Sequence, residues 1–264
     1  MKISIVVPSR LAPIVSGNAA GPWFLQKAID CVQAQSVWRQ GHQLQLLVGV
    51  DAGQRATAVA RIGSRAAVVE STLRSQAAAL NAGIRAVEGD VVAFLEDDDL
   101  WHQDYLAKAL AGLQQADFVS STHLEVRTDG VVVRISDYAT PSSWVMPRAT
   151  LNRIGGFDET HRWHLDSEWL GRLGDSGLRR IHFVEATAPI TQDEICASRP
   201  QLANVIEFGG PAVALLRHES PWPLVMRTVH PDSGTAQIRA DQIKTAESAV
   251  EIERLVARFG NVPW

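Results

Sequence analysis

The chain has 264 residues, 46% of them hydrophobic and 20% charged, with 29 acidic against 25 basic side chains and a net charge of −4. That is an ordinary globular composition, long enough to bury a substantial core in one large domain or two small ones. The acidic balance excludes a broad basic surface for nucleic acid, and no apolar run approaches the roughly 20 residues of a transmembrane helix. Cys31 and Cys196 lie far apart without metal-ligand spacing, and Lys2 to Pro8 is too short for a signal peptide. The expectation is therefore a reduced, cytoplasmic protein with no transmembrane segment and no nucleic-acid partner.

Ile3 to Val7 reads as a first strand, closed by Pro8-Ser9-Arg10. Leu11 to Gly21 holds two glycines and a proline without any period and reads as a loop. A helix is predicted from about Pro22, with Leu25, Ala28, Ile29 and Val32 spaced i, i+3, i+4 and i+7. Leu44 to Val50 is a second buried strand, ended by Asp51-Ala52-Gly53, and Ala66 to Glu70 a third. Ser75 to Val87 reads as a helix in which Ala77 to Leu80 pack and Asn81 and Gly83 are weak points. Val91 to Leu95 is an unbroken run of strand formers, as in a buried parallel strand.

The order strand-helix-strand-strand-helix-strand predicts an α/β fold with a mixed, mostly parallel sheet and helices on both faces. Glu96, Asp97, Asp98 and Asp99 follow the fourth strand at its carboxyl end, where open α/β sheets bind ligands. Four adjacent carboxylates repel one another, so they require solvent or a cation. A hard divalent ion, Mg²⁺ or Mn²⁺, takes one or two carboxylates and completes its shell with water and phosphate oxygens. The plainer reading of the run is an acidic helix N-terminus.

Further on, Leu106, Leu110 and Leu113 mark a helical face ending near Gln115. Asp117 to Val126 and Val131 to Ile135 read as strands joined around Asp129-Gly130, and Ser142 to Met146 as another short strand. Arg148 to Ile154 reads as a short helix before Gly155-Gly156, and a second helix runs from Asp166 to a stop at Gly177. Ile181 to Ala186 is the last expected strand. Prolines at 189, 200, 211, 221, 223 and 231 then predict loops, with only Ala240 to Phe259 as a long helix.

The blocks ISIVVPSR, LLVGVDAG, ALNAGIRAVEGDVVAFLEDDDLW, SSWVMPRATLNRIGGFDE and LDSEWLGRLGDSGLR fall in that order within about residues 1 to 185. In that order they resemble the family 2 glycosyltransferases of GT-A fold. The resemblance implies one GT-A (Rossmann-like) domain over 1–264, with a donor half at 1–99, an acceptor half at 100–210 and a C-terminal loop and helix at 211–264. It implies transfer of a sugar from a nucleoside-diphosphate sugar, UDP favoured over GDP or dTDP, to an acceptor hydroxyl, with inversion.

Carried over residue by residue, Pro8, Ser9, Arg10 and Asp51 hold the nucleotide. The acidic run matches the DXD-type motif, with Asp97 on a ribose hydroxyl, Asp98 as first metal ligand, Glu96 reaching the metal directly or through water, and Mn²⁺ or Mg²⁺ as cofactor. Asp166 matches the general base; its plainer reading is a helix N-cap.

Three departures from the family pattern are visible. Glu96 stands where Asp is usual, Leu165 where a Glu commonly precedes the base, and Leu80 where a basic residue is often found, leaving a contact to Arg74 or Arg10. The long loop after the first strand could cover the donor. Trp163 and His164 are candidate acceptor contacts, with a plain core residue the favoured reading of Trp163, whereas Trp101 reads as packing. His218 or His230 is a candidate to complete the metal shell or bind diphosphate, as a late histidine does in some GT-A enzymes, with a surface histidine the favoured reading. Two other functions fit the same architecture: a non-catalytic nucleotide- or carbohydrate-binding module and a sugar-phosphate nucleotidyltransferase. The acceptor, the donor sugar and the oligomeric state are not legible.

Overall fold

The computed structural model describes residues 1–15, 21–209 and 213–263. Its first half alternates β1 (Lys2–Ser9), α1 (Phe24–Gln33), β2 (Gln43–Val50), α2 (Arg55–Ile62), β3 (Ala67–Glu70), α3 (Gln76–Arg85) and β4 (Val91–Phe94). β1 pairs in parallel with β2 and with β4, and β3 extends the sheet beyond β2.

Alternation along these strands feeds two cores. Ile3, Ile5 and Val7 join Val48, Val50, Val91 and Ala93 under α1, whose Leu25, Ala28, Ile29 and Val32 are all buried there. Val6, Leu47, Val92 and Phe94 point the other way, toward Ala77 and Leu80 of α3. Burying each such side chain contributes about 1.5–3 kcal/mol. The sheet therefore carries helices on both faces, as predicted. Gly49 is required by this packing, because a Cβ there would stand 2.1 Å from the Ala79 carbonyl oxygen of α3.

The second half closes the sheet and adds a smaller one. After β5 (Leu100–Trp101) and α4 (Tyr105–Gly112) come β6 (Phe118–Ser121), β7 (His123–Arg127), β8 (Val132–Ser136), β9 (Val145–Pro147), α5 (Arg148–Ile154), α6 (Leu165–Asp175) and β10 (Arg180–Val184). Then follow α7 (Gln192–Ser198), α8 (Pro200–Gly209), β11 (Val213–Arg217), β12 (Val225–Val229), α9 (Gly234–Ala240) and α10 (Gln242–Phe259). The large sheet runs β11-β10-β6-β9-β4-β1-β2-β3, with β9 antiparallel to both neighbours, and the small sheet runs β5-β12-β7-β8. An aromatic cluster of Phe94, Phe118, Trp144, Phe157 and Trp169 seats α6, with the Trp144 and Trp169 rings 4.9 Å apart.

Several expectations are corrected. The acidic run is not a helix N-terminus: Asp97 and Asp98 form a turn leading into β5, and α4 begins at Tyr105. α2 was not foreseen, since only Ala58 and Ile62 of its eight residues are buried and its period is weak. Asp117 to Val126 is two strands, because the chain passes at Thr122 from the large sheet to the small one. Ser142 opens no strand; Pro141–Ser143 is a 3₁₀ turn ahead of β9. β10 is followed by β11 and β12, and the proline-rich segment holds α7, α8 and α9, with Pro200 at the first position of α8, where its missing N–H costs nothing. Pro22 lies outside α1. The expectation that the loop after β1 covers the donor falls partly on residues 16–20, outside the described residues. No described helix is long and apolar enough to cross a membrane.

Candidate functional site

The carboxyl ends of β1, β2 and β4 open together on a cavity of about 700 Å³. Pro8, Ser9 and Arg10 line it from β1, Asp51 from β2, and Glu96, Asp97 and Asp98 from β4. Trp163, His164 and Asp166, at the entrance to α6, line the same cavity. These ten candidates thus line one cavity, while the two candidate histidines, His218 and His230, are not among its lining residues.

The four acids separate at the turn. Leu95 N–H still bonds Val6 in the ladder, and Asp99 N–H then closes the turn on the Glu96 carbonyl at 3.1 Å. Asp97 accepts the Ser9 hydroxyl at 2.5 Å, and Glu96 accepts the Gln76 amide. Asp99 turns inward, where it is 1% exposed and accepts Ser142 Oγ–H at 2.6 Å and Thr228 N–H at 3.0 Å. Burial, then the Asp98 charge, push Glu96 and Asp97 up to about 7, against the opposing pull of Gln76 and Arg227 on the first and of Ser9 and Arg10 on the second. The Asp166 charge adds to the rise at Glu96, so the two walls of the cavity sense each other. Asp51 is raised by burial, with Arg10 and Arg74 pulling it back.

The donor set suits a hard cation. Carboxylate oxygens of Glu96, Asp98 and Asp99 lie within 4.8 Å of one another. Both Asp99 oxygens already accept hydrogen bonds, and of these three acids Glu96 and Asp98 line the cavity. Like-charged oxygens gathered under partial burial are the environment that a divalent ion stabilises.

β12 and the residue that follows it contribute what sequence reasoning missed or undervalued. His230 is not a surface residue: it is 6% exposed, its Nε2 lies 2.8 Å from Asp98 Oδ2, and its ring packs on Phe24. His218 is also buried rather than exposed, but it packs against Phe183 and does not line the cavity. Arg227 was not anticipated. Burial lowers its pKa, but the charges of Asp99, Glu96, Glu125 and Asp98 outweigh that and raise it, which keeps a cation beside the acidic run. No local pattern marks Arg227; only the parallel pairing of β12 with β7 brings it here.

α6 and α10 also contribute to the cavity lining. Asp166 is the second residue of α6 and is not its N-cap, a position held by His164. Its Oδ1 accepts the Ser167 N–H at 2.9 Å. Leu165 is buried in the aromatic core, so the position offers no second carboxylate. Trp163 and His164 are half-buried and held from α10, by Glu247 at 3.1 Å and Ser248 at 2.8 Å respectively. Trp101 packs in the core with its Nε1–H on the Ser142 carbonyl, as expected.

Comparison with known proteins adds a family to this geometry. Among solved structures, S. aureus TarS 1–349 in complex with UDP superposes with a TM-score of 0.54 at 14% identity, over 94% of this chain and 65% of that one. M. tuberculosis glucosyl-3-phosphoglycerate synthase gives 0.54 at 16% identity, over 98% and 81%. The mannosyltransferase PcManGT from Pyrobaculum calidifontis, in complex with GDP-Man and Mn²⁺, gives 0.50 at 21%, over 68% and 54%. At these identities the likeness is one of fold, and the chain spans less than two thirds of the TarS fragment. No curated protein matches the sequence. The model of glycosyl transferase family 2 matches residues 24–174, more than half of the chain, from α1 to the end of α6. With a mixed α/β sheet of the GT-A kind and that match, the chain belongs to glycosyl transferase family 2.

Proposed function

We propose that the protein transfers a hexose from a nucleoside-diphosphate sugar to an acceptor hydroxyl, in a divalent-metal-dependent reaction that inverts the anomeric centre. The observation that carries this reading is one cavity lined by both the acidic run and Asp166, whose charge acts on Glu96. A glycosyl transfer needs both: negative charge builds on the leaving diphosphate while a proton leaves the attacking hydroxyl.

In this reading residues 1–99 form the donor half. Pro8, Ser9, Arg10 and Asp51 hold the nucleotide, and Asp97, steadied by Ser9, takes a ribose hydroxyl. Asp98 and Glu96 hold Mn²⁺ or Mg²⁺, which when bound supplies Lewis acidity toward the diphosphate. Arg227 adds a fixed positive charge beside the same run. Residues 100–210 form the acceptor half, where Trp163 offers an indole face to a sugar ring and His164 a polar edge. Asp166 accepts the hydroxyl proton, and attack from the face away from the diphosphate inverts the configuration. The segment 211–264 serves both halves, through Arg227 and His230 on one side and α10 on the other.

UDP is the favoured nucleotide. A structural neighbour was solved with UDP and another with GDP-Man and Mn²⁺, which makes GDP the first competitor. The deciding experiment is a thermal-shift panel of UDP, GDP and dTDP, each with Mn²⁺ or EDTA, on the wild type and Asp98→Ala. One nucleotide should stabilise only with metal and only the wild type, by about 2.7 kcal/mol at 100 times its Kd. No shift with any nucleotide would sink the reading in favour of a structural role for the acids.

A further inference from the structure

α10 follows the proline-broken segment yet reaches the acceptor wall through one carboxylate. Glu251 is 6% exposed and accepts three consecutive backbone N–H groups: Arg162 at 2.7 Å on Oε1, and Trp163 and His164 at 2.9 Å each on Oε2. These donors sit at the entrance to α6, where the helix N-terminus favours a negative charge and leaves N–H groups in want of partners. The N-cap, His164, makes no side-chain capping bond of its own. One turn earlier on α10, Ser248 holds the His164 ring at 2.8 Å and Glu247 the Trp163 Nε1–H at 3.1 Å. Residues 247, 248 and 251 of one helix therefore grip the whole of 162–164, and the next turn carries Asp166.

Hydrogen bonds from N–H groups to a carboxylate are roughly twice as strong as neutral ones, and three on one buried side chain define where the backbone stands. We propose that Glu251 is a positioning residue for glycosyl transfer: it sets Trp163, His164 and Asp166 at their distance from the acidic run without touching substrate itself. This rests on the function proposed above. Displacing a reacting group by 1 Å costs on the order of 100-fold in rate, so a clamp on this segment acts on turnover and leaves donor binding alone.

The same two helices are tied a second time, away from 162–164, by Arg258 Nη1 to Glu168 Oε1 at 2.9 Å. Arg258→Ala therefore loosens α10 from α6 without releasing the acceptor wall, and serves as the control for general packing. Glu251→Gln, Glu251→Ala and Arg258→Ala would be compared with wild type in two measurements. The first is hydrolytic release of nucleoside diphosphate from a panel of UDP-, GDP- and dTDP-hexoses with Mn²⁺, water attacking C1 in the acceptor's place and giving its proton to Asp166; the second is amide hydrogen exchange across 160–166.

Glu251→Ala should lower kcat about 100-fold and Glu251→Gln about 10-fold, with donor KM within about twofold of wild type. Exchange at Arg162, Trp163 and His164 should rise in both. Arg258→Ala should keep kcat within about twofold even where its melting temperature falls as far as that of Glu251→Ala. Equal losses of kcat in Arg258→Ala and Glu251→Ala would overturn the proposal, as would a Glu251→Ala enzyme with wild-type kcat. A wild type that neither hydrolyses any donor nor is stabilised by any nucleotide with Mn²⁺ would overturn the proposed function itself, a result distinct from active Glu251 variants.

Discussion

His230 Nε2 stands 2.8 Å from Asp98 Oδ2, across 132 positions of sequence. The imidazole is walled in by Phe24, with ring centroids 4.8 Å apart, so it holds one orientation toward the carboxylate. A buried imidazole bonded to a metal-facing carboxylate orients that ligand, and loss of such support typically costs about 10- to 100-fold in metal affinity. His230→Ala should weaken Mn²⁺ by that factor in a titration of the nucleotide-induced thermal shift. His218→Ala, away from the cavity, should leave the Mn²⁺ midpoint unchanged.

Glu96 and Asp97 both ionise near 7 in the folded protein, up from 4.5 and 3.8, because of burial and the Asp98 charge. Their folded pKa values are raised, so the stability they contribute is complete below about pH 4 and is lost as pH climbs through about 7. Asp98→Asn removes a charge that acts on both. In EDTA at pH 8 it should therefore be more stable than wild type by about 1–2 kcal/mol, a few degrees in melting temperature. Buried His182, lowered to about 3 mainly by desolvation, acts in the opposite sense but is common to both proteins and cancels in the difference. Excess Mn²⁺ should reverse the ranking, since only the wild type keeps the ligand. A variant that melts below wild type in EDTA at pH 8 would show that repulsion is not what destabilises the run.

Asp166 enters the cavity from the first turn of α6 and makes no ion pair among the described residues. Asp166→Asn preserves shape and removes basicity. Its kcat should fall by about 10²- to 10⁴-fold with donor KM nearly unchanged, the signature of a group needed in the transition state and not for donor binding. A normal rate in initial-velocity assays would remove Asp166 from the chemistry.

Arg199, between α7 and α8, pairs with Asp137 and, at 2.6 Å, with Glu185; the two acids are almost fully buried. Replacing it by Met leaves two carboxylates without their cation. Breaking a buried pair from one side costs about 3–5 kcal/mol, so Arg199→Met should shift the urea midpoint by that equivalent. Tyr138, next to Asp137, lines the cavity, and turnover should fall along with stability.

Much of this molecule was legible in local pattern. The apolar run at 91–95 followed by four acids marked both a buried strand and the edge on which a site had to lie, because strand burial and strand direction are properties of adjacent residues. The i, i+3, i+4, i+7 spacing in α1 and the five ordered blocks were readable for the same reason. Asp51, Arg10 and Asp166 could be singled out because each sits at the end of an element whose type its neighbours dictate, and all three line one cavity.

What the pattern could not express is direction and distant partnership. Four consecutive acids look alike in sequence, yet one turn sends Asp97 to Ser9, Glu96 to Gln76, Asp98 to His230 and Asp99 into the protein toward Ser142 and Thr228. The switch of sheets at Thr122, the parallel docking of β12 on β7 and the grip of Glu251 on 162–164 join segments far apart along the chain. Propensity and periodicity are sums over near neighbours, whereas these contacts form only when non-local burial brings the segments together. Sequence alone therefore determined the sheet edge and the acids it carries; tertiary packing decided which side chains meet there.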